Sequence, residues 1–436
     1  MSKNFALAIT VALVAGSAQL RGQQPGAAGP NATSARQTET DEYTRYELLA
    51  PDTASFKIFY EVTATTAGAK FFYNPIRKGS VASDESVIDA MTGDALHFEV
   101  VSGADARKDQ LMSDADTDTS FIKVTLARPV PPEGQGRLII LKTYKDVKSY
   151  YRDGDAIVFN RPLGIKRNKV VLPSGYELVS CNVPSQVLSE HDGRIAISFI
   201  NAGSGEAPLI LRAKLGAQTG ASPAPHAPTQ TRSWESPFQG ETERQRLSER
   251  AHQDRDIVYF LQQPETHAFS LYHDYTESRP GVDKYLNVVR EGSTVSDPSA
   301  YILDTGEKLA TRIVSGTDLA AEKIDAGEPV APATQIVLIP FTPVKKGQSV
   351  RLRISETYTA PVSYHLDGDE LVFDRSLGRS RNAVVLPAGW YLTASAIPAT
   401  VRQLPDGRIR LDFWNGRPDS VDVLLKAKRR ASAPAK

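Results

Sequence analysis

Short runs in which apolar and polar residues alternate dominate this chain. Phe56–Thr63, His97–Val101, Phe121–Leu126, Arg137–Tyr144, Ala156–Phe159, Lys169–Leu172, Ile195–Phe199 and Leu209–Ala213 all alternate or are rich in β-branched and aromatic residues. A period of two sends successive side chains to opposite faces, so each run predicts a strand with at least one buried face. Turn chemistry separates the runs, with Asp-Gly at 153, 192, 367 and 406, Ser-Gly at 174 and Pro-Pro at 131. Asp-Gly between alternating runs is a strong hairpin signal, because tight turns need backbone with positive φ. No amphipathic helix of three or more turns interrupts these regions, so the fold class is all-β.

The runs also recur. Arg137–Lys214 realigns with Arg351–Lys428 at an offset of 214 without a gap, and 34 of the 78 positions are identical. Such self-similarity identifies a tandem duplication. The pattern DGDxxVFxRxLGxxRNxVVLPxG at Asp153–Gly175 returns at Asp367–Gly389, and Asp192–Ile195 returns at Asp406–Ile409. Further upstream the offset is 213: Tyr46 answers Tyr259, Pro51 answers Pro264, Phe56 answers Phe269, and Gly79-Ser80 answers Gly292-Ser293. One single-residue indel between about 104 and 136 accounts for the change.

The expectation is two tandem homologous antiparallel β-sandwich domains of roughly eight to ten strands each, joined by a flexible or helical linker. One sandwich per copy is favoured over two small ones, because no Pro/Ser/Gly linker interrupts either copy. The copies span residues 41–215 and 257–428. Between them, residues 216–256 begin rich in Pro and Ala and end highly charged, long enough to let the units move independently. Residues 1–18 read as a secretory signal with Lys3, an apolar core at Phe5–Val14 and small residues at Gly16-Ser17-Ala18. Residues 19–40 read as a disordered leader and 429–436 as a basic tail. The expected location is therefore exported, periplasmic or extracellular, with no membrane span after signal removal.

Charge changes the picture by exclusion. Lys+Arg and Asp+Glu number 51 each, and no basic face emerges, so nucleic acid is not an expected partner.

The duplication filters the candidate chemistry, since a function common to both copies needs residues present in both. None of the seven histidines has a histidine at the equivalent position: His191 faces Pro405, His365 faces Tyr151, and His273 faces Tyr60. A shared metal site or a shared histidine acid–base centre is thereby excluded, and no metal or other cofactor is expected. Cys181 is the single cysteine and faces Ser395, which makes it a small half-buried residue rather than a catalytic thiol.

What both copies keep is acidic turns and basic loops. Asp153 and Asp155 match Asp367 and Asp369, and Asp192 matches Asp406. Asp side chains bracketing a turn glycine cap backbone N–H groups, which is the favoured reading over a carboxylate pair or a calcium site. Arg161, Arg167, Asn168 and Arg194 match Arg375, Arg381, Asn382 and Arg408. A guanidinium suits carboxylate, phosphate or sugar hydroxyls, so Arg161, Arg167, Asn168, Arg375, Arg381 and Asn382 are candidate ligand-binding residues. The structural alternative has Arg167 pairing with Asp153 or Asp155 and Asn168 satisfying its own loop. Tyr176 and Trp390, just after the Pro-x-Gly turn, are expected to be partly exposed and complete the candidate set as stacking platforms for sugar.

These observations favour an exported non-enzymatic binding or scaffolding protein of the cell envelope. Its expected partner is an envelope polysaccharide or another exported protein, held by two linked weak sites. The alternative is a hydrolase in which the second copy alone carries the site, with His267 and His273 on one face of a strand.

Overall fold

Alternation is borne out as strand throughout the computed structural model, which describes residues 36–203, 205–216, 249–252, 254–327, 329–416 and 419–430. The expected signal, most of the expected leader, the greater part of the linker and the end of the tail lie outside the described residues. Among the described residues fourteen strands belong to the first copy and fifteen to the second, more than the eight to ten expected. The surplus arises because each copy adds a separate small sheet and several strands of four or five residues, too short to read as distinct runs.

Each copy is built on one long sheet. In the first, its order is Gln186–Ser189, Ile195–Ile200, Arg167–Val171, Glu39–Leu48, Ser55–Ala64, Gly136–Lys145, Val81–Asp89. The second copy repeats this order and adds Lys308–Leu309 at one edge, where the first copy has a lone bridge between Ile88 and Ala95. The long sheet is mixed. Glu39–Leu48 runs antiparallel to Ser55–Ala64 on one side and parallel to Arg167–Val171 on the other. Arg255–Leu261 does the same in the second copy. Every other pairing is antiparallel.

A four-stranded and a three-stranded sheet cover one face of each long sheet. Tyr46, Phe56, Ile58, Tyr60 and Val62 from the long sheet meet Ile157, Phe159, Leu209 and Leu211 from the four-stranded sheet. Phe72, Ile122 and Val124 from the three-stranded sheet join the same cluster. One core therefore serves all three sheets, which makes each copy a single sandwich. In the second copy Phe269 is fully buried and packs edge-to-face on Tyr259, Tyr364 and Phe373, and stacks on Tyr358. Phe269→Ala removes this centre, and an expected loss of about 3–5 kcal/mol in urea unfolding tests its weight.

The D-G-D hairpin forms, although its register differs from a simple Asp-Gly turn. Asp153 pairs with Ala156, so Gly154 and Asp155 are the central residues, and Gly154 has φ of 60°. Asp367 pairs with Glu370 around Gly368, φ 63°, in the second copy. Glycine first with positive φ is the arrangement of a type II′ turn, which suits the twist of paired strands.

The two copies pack against each other rather than moving apart on their linker. The Gln135 amide donates to Leu303 O at 2.8 Å, and the Ser349 amide donates to Met91 O at 3.0 Å. The Ser349 hydroxyl also donates to Ala90 O at 2.7 Å. Gln135 and Ser349 are equivalent, as are Ala90 and Leu303, so nearly the same contact is made twice in opposite senses, the second amide bond falling one residue later, on Met91. This reciprocity is that of a two-fold dimer, here within one chain. The approach is close: a Cβ on Gly134 would lie 2.4 Å from Leu303 O. At the centre of the seam Arg137 donates through Nε and Nη2 to the carboxylate of Asp304, at 2.7 and 2.9 Å, with the carboxylate fully buried.

Candidate binding site

The residues of the R-x-L-G-x-x-R-N stretch separate: Arg161 belongs to Ala156–Leu163 of the four-stranded sheet, whereas Arg167 and Asn168, consecutive in Arg167–Val171, take opposite faces of the long sheet. Arg167 and Arg381 lie on the outer face of their long sheets, close enough that each guanidinium opposes the other. Burial first, then Arg381, lowers the Arg167 pKa to about 10, against the pull of Asp254, Asp256 and Glu61. Arg167 Nη1 donates to Ala251 O, and Arg381 pairs with Asp256. Asp153 and Asp155, the partners expected for Arg167, are tied to Arg212 and Lys214 instead. Arg167 and Arg381 thus belong to the seam between copies.

The end of the linker fills this seam. Glu249 accepts from Tyr43 Oη at 2.9 Å and Ser198 Oγ at 3.0 Å, and pairs with Lys169. His252 meets Glu61 at 3.1 Å and lies against the Tyr43 ring. Burial opposes ionisation of Glu61, but His252, then Arg167 and Arg137, outweigh it and lower its pKa. Arg250 reaches the other way, donating from Nε to Asn415 O at 3.1 Å. Asp254 binds Arg351 at 2.8 Å.

The remaining expected site residues are placed as follows. Asn168 and Asn382 each donate from Nδ2 to a carbonyl three residues back, Ile165 O and Arg379 O, both at 2.8 Å. They close their own loops. Tyr176 and Trp390 are not partly exposed but buried, at 9% and 1% exposure, because the turn before each folds it under the four-stranded sheet. Trp390 Nε1 donates to Gln263 Oε1 at 3.0 Å, and the Arg429 guanidinium covers its ring. Arg194 and Arg408 each bind the turn aspartate two residues back, Asp192 and Asp406, through Nε at 2.7 Å. Cys181 and Ser395 both direct their side chains to the carbonyl two residues on, a shared turn role.

His267 and His273 do not converge. His267 sits just before the strand, at φ 53° in a 3-10 turn, with Nδ1 3.0 Å from Tyr364 O. His273 points from Ala268–Glu277 into the sandwich, 1% exposed.

Arg161 and Arg375 are where the two copies part company. Each guanidinium lies inside its sandwich over two aromatic rings, Phe56 and Tyr144 in the first copy and Phe269 and Tyr358 in the second. Arg161 donates through Nη1 to Asp146 at 3.0 Å and to Ser149 Oγ at 3.2 Å. Ala360 stands in the second copy where Asp146 stands in the first. Arg375 is 7% exposed, and its Nε and Nη1 are buried without an acceptor.

A neighbouring position exchanges its charge. Asn74 Oδ1 accepts from the buried Lys142, whose pKa burial, with Arg161 adding to it, lowers to about 7. The equivalent Asn287 donates from Nδ2 to both oxygens of Glu356, at 3.0 and 2.8 Å, and to Tyr358 Oη at 2.9 Å. Burial raises the Glu356 pKa, with Asn287 and Tyr358 acting against it.

A cavity of about 2070 Å³ runs from the seam into the second sandwich and is lined there by His273, Tyr285, Asn287, Glu356, Arg375 and Arg379. Arg379 Nη2 lies 3.1 Å from His273 Nδ1. Burial first, then Arg379 and Arg255, push the His273 pKa well below its usual value, so the ring is neutral. A neutral ring that accepts at Nδ1 carries its proton at Nε2, and that buried Nε2 has no partner. The cavity therefore presents buried donors in excess of acceptors. Among the described residues no three His, Cys, Asp or Glu side chains gather as a metal site.

No helix among the described residues is long and apolar enough to cross a membrane. No family model matches the chain, and no curated protein does. Among solved structures it is similar to an M1 zinc metallopeptidase from Deinococcus radiodurans at 12% identity and TM-score 0.27, covering 40% of this chain and 41% of that one. An aminopeptidase N family protein from Idiomarina loihiensis gives 11% and 0.25, over 39% of this chain and 29% of that one. The chain thus spans less than half the length of either. Likeness at this level carries no argument about what the chain does.

Proposed function

We propose that this chain is an exported, non-enzymatic binding or scaffolding protein of the cell envelope, with its binding cavity in the second copy. One observation carries the reading: apart from Arg161 and Arg375, the motif residues common to both copies are engaged in turns, loops and the seam, whereas the cavity gathers His273, Glu356 and Arg379, which have different residues at the equivalent positions of the first copy, around Arg375. Those groups are suited to hold rather than to transform. His273 is neutral and already accepts from Arg379, and His267 lies elsewhere, so the pair invoked for a hydrolase does not form.

The duplication serves this reading differently from two linked weak sites. The first copy acts as a partner that completes the wall of the cavity, through Tyr43, Glu61, Arg137 and Lys169. An envelope polysaccharide or an exported protein is the partner class this reading carries. A glycan array and an envelope pull-down on the full chain test it. Retention of a ligand without turnover is the expected result, and hydrolytic turnover on a substrate panel would overturn it.

A further inference from the structure

We propose that the cavity in the second copy binds an organic carboxylate, with the ligand's carboxylate group taken up by Arg375. This deepens the binding reading above and rests on it.

The two copies provide the comparison. Arg161 and Arg375 share position, burial and the pair of rings beneath the guanidinium, with centroid distances of 5.4 and 5.6 Å in one and 5.4 and 5.8 Å in the other. Their surroundings also match, since Ser80 and Ser149, which donate to Asp146 in the first copy, are serines at 293 and 363 in the second. Among the groups that bond the guanidinium directly, what differs is Asp146, replaced by Ala360; beside them Lys142 becomes Glu356 and Ile165 becomes Arg379. A guanidinium out of water without an anion is strongly disfavoured. In the first copy the chain supplies the anion, and the second copy leaves Arg375 lining a cavity instead.

Glu356 lies two residues along its strand from Tyr358, whose ring underlies the guanidinium, yet both its oxygens accept from Asn287 and neither from Arg375. Arg290 and Arg379 also line the cavity, and Arg290 is close enough for Arg375 to lower its pKa. Cationic groups thus outnumber Glu356 at this end. A singly charged carboxylate fits that balance, whereas a doubly charged phosphate meets repulsion from Glu356.

The second unpaired donor, His273 Nε2, lies four residues along the strand from Phe269, roughly 13 Å at about 3.3 Å per residue. Asn287 and Glu356 lie between. A ligand reaching both ends is an elongated acid whose body carries further oxygen acceptors. Sugar acids and simple aliphatic or aromatic acids share the carboxylate chemistry, and the arms of the test separate them.

Thermal shift and calorimetric titration of the full chain use glucuronate, hexanoate and benzoate, beside neutral glucose, hexanamide and benzamide, with inorganic phosphate as a further arm. At least one carboxylate is expected to raise the melting temperature while its neutral counterpart does not. Ala360→Asp transplants the internal carboxylate of the first copy beside Arg375. It is expected to raise the melting temperature of the ligand-free chain and to weaken carboxylate binding at least tenfold. Arg375→Gln is expected to weaken binding similarly, and Ala360→Asp keeps the test decisive should that variant fold poorly. Unchanged affinity in Ala360→Asp, equal effects of acid and amide, or stabilisation by phosphate alone would each overturn the proposal. If the chain retains a glycan or protein while no carboxylate stabilises it, this inference fails and the binding reading stands. Turnover of a carboxylate that Ala360→Asp blocks reverses that outcome.

Discussion

Asp304→Ala is expected to destabilise the chain by about 3–5 kcal/mol and to split its unfolding into two transitions. The carboxylate is fully buried at the seam and takes both Nε and Nη2 of Arg137. Removing it leaves a buried guanidinium without its counter-charge, which costs far more than the pair contributes. Ser349 still offers Arg137 its carbonyl and hydroxyl at 3.4 and 3.2 Å, but neither carries charge. The pairing joins the copies, so its loss also uncouples them, and urea unfolding read by two probes should cease to coincide. The double variant Arg137→Met with Asp304→Leu, which removes both charges, should recover most of the loss. A loss below about 1 kcal/mol for Asp304→Ala would show that the copies hold together without this pair.

Lys142 sets a second large effect, visible as a pH slope. Its pKa is about 7 in the folded chain against 10.5 when exposed. Between those values the unfolded chain binds a proton that the folded chain does not, so stability rises with pH across this window. The slope is at most about 1.4 kcal/mol per pH unit. Above the window the lysine is neutral in both states and contributes no penalty, and below it the full penalty applies. Lys142→Met removes the titrating group. The difference in stability between variant and parent should therefore favour the variant below pH 7 and shrink steadily toward pH 10. A difference that does not change with pH would mean that Lys142 keeps an ordinary pKa.

Much of the architecture was legible because strand alternation and turn glycines are local signals. Gly154 and Gly368 mark hairpins in both copies, and the short linkage from Leu48 to Ser55 requires neighbouring antiparallel strands. The parallel partner of Glu39–Leu48 was not legible, since Arg167 lies more than a hundred residues away and nothing local encodes that pairing. The seam was hidden for a different reason. Arg351 alternates with Val350 and Leu352 as an outward position should, and an outward position facing solvent reads the same as one facing another domain. Tyr176 and Trp390 were misplaced because a turn before a strand does not say which face the first residue takes.

The cavity was missed through the direction of the comparison. Searching for residues shared by the copies recovers what both need to fold, as the fates of Arg194, Asn168 and Asn382 illustrate. The cavity is marked by departures: Asp146 to Ala360, Lys142 to Glu356, Tyr60 to His273 and Ile165 to Arg379. Each is plain in the alignment, but only burial and partners distinguish these four from neutral drift. Arg161 and Arg375 were singled out as a pair. Their unequal environments needed coordinates.

The reciprocal seam has a consequence for assembly. Because both halves of this two-fold contact reside on one polypeptide, dilution does not dissociate it, and the connecting segment maintains a high effective concentration of each face for the other. The same faces recognise each other equally well on different molecules. At high protein concentration the first copy of one chain can therefore seat on the second copy of its neighbour, giving exchanged dimers with every native contact intact. Shortening the stretch between residues 216 and 249 would shift this balance toward exchange, turning a self-contained pair into an oligomer without altering any residue of the interface.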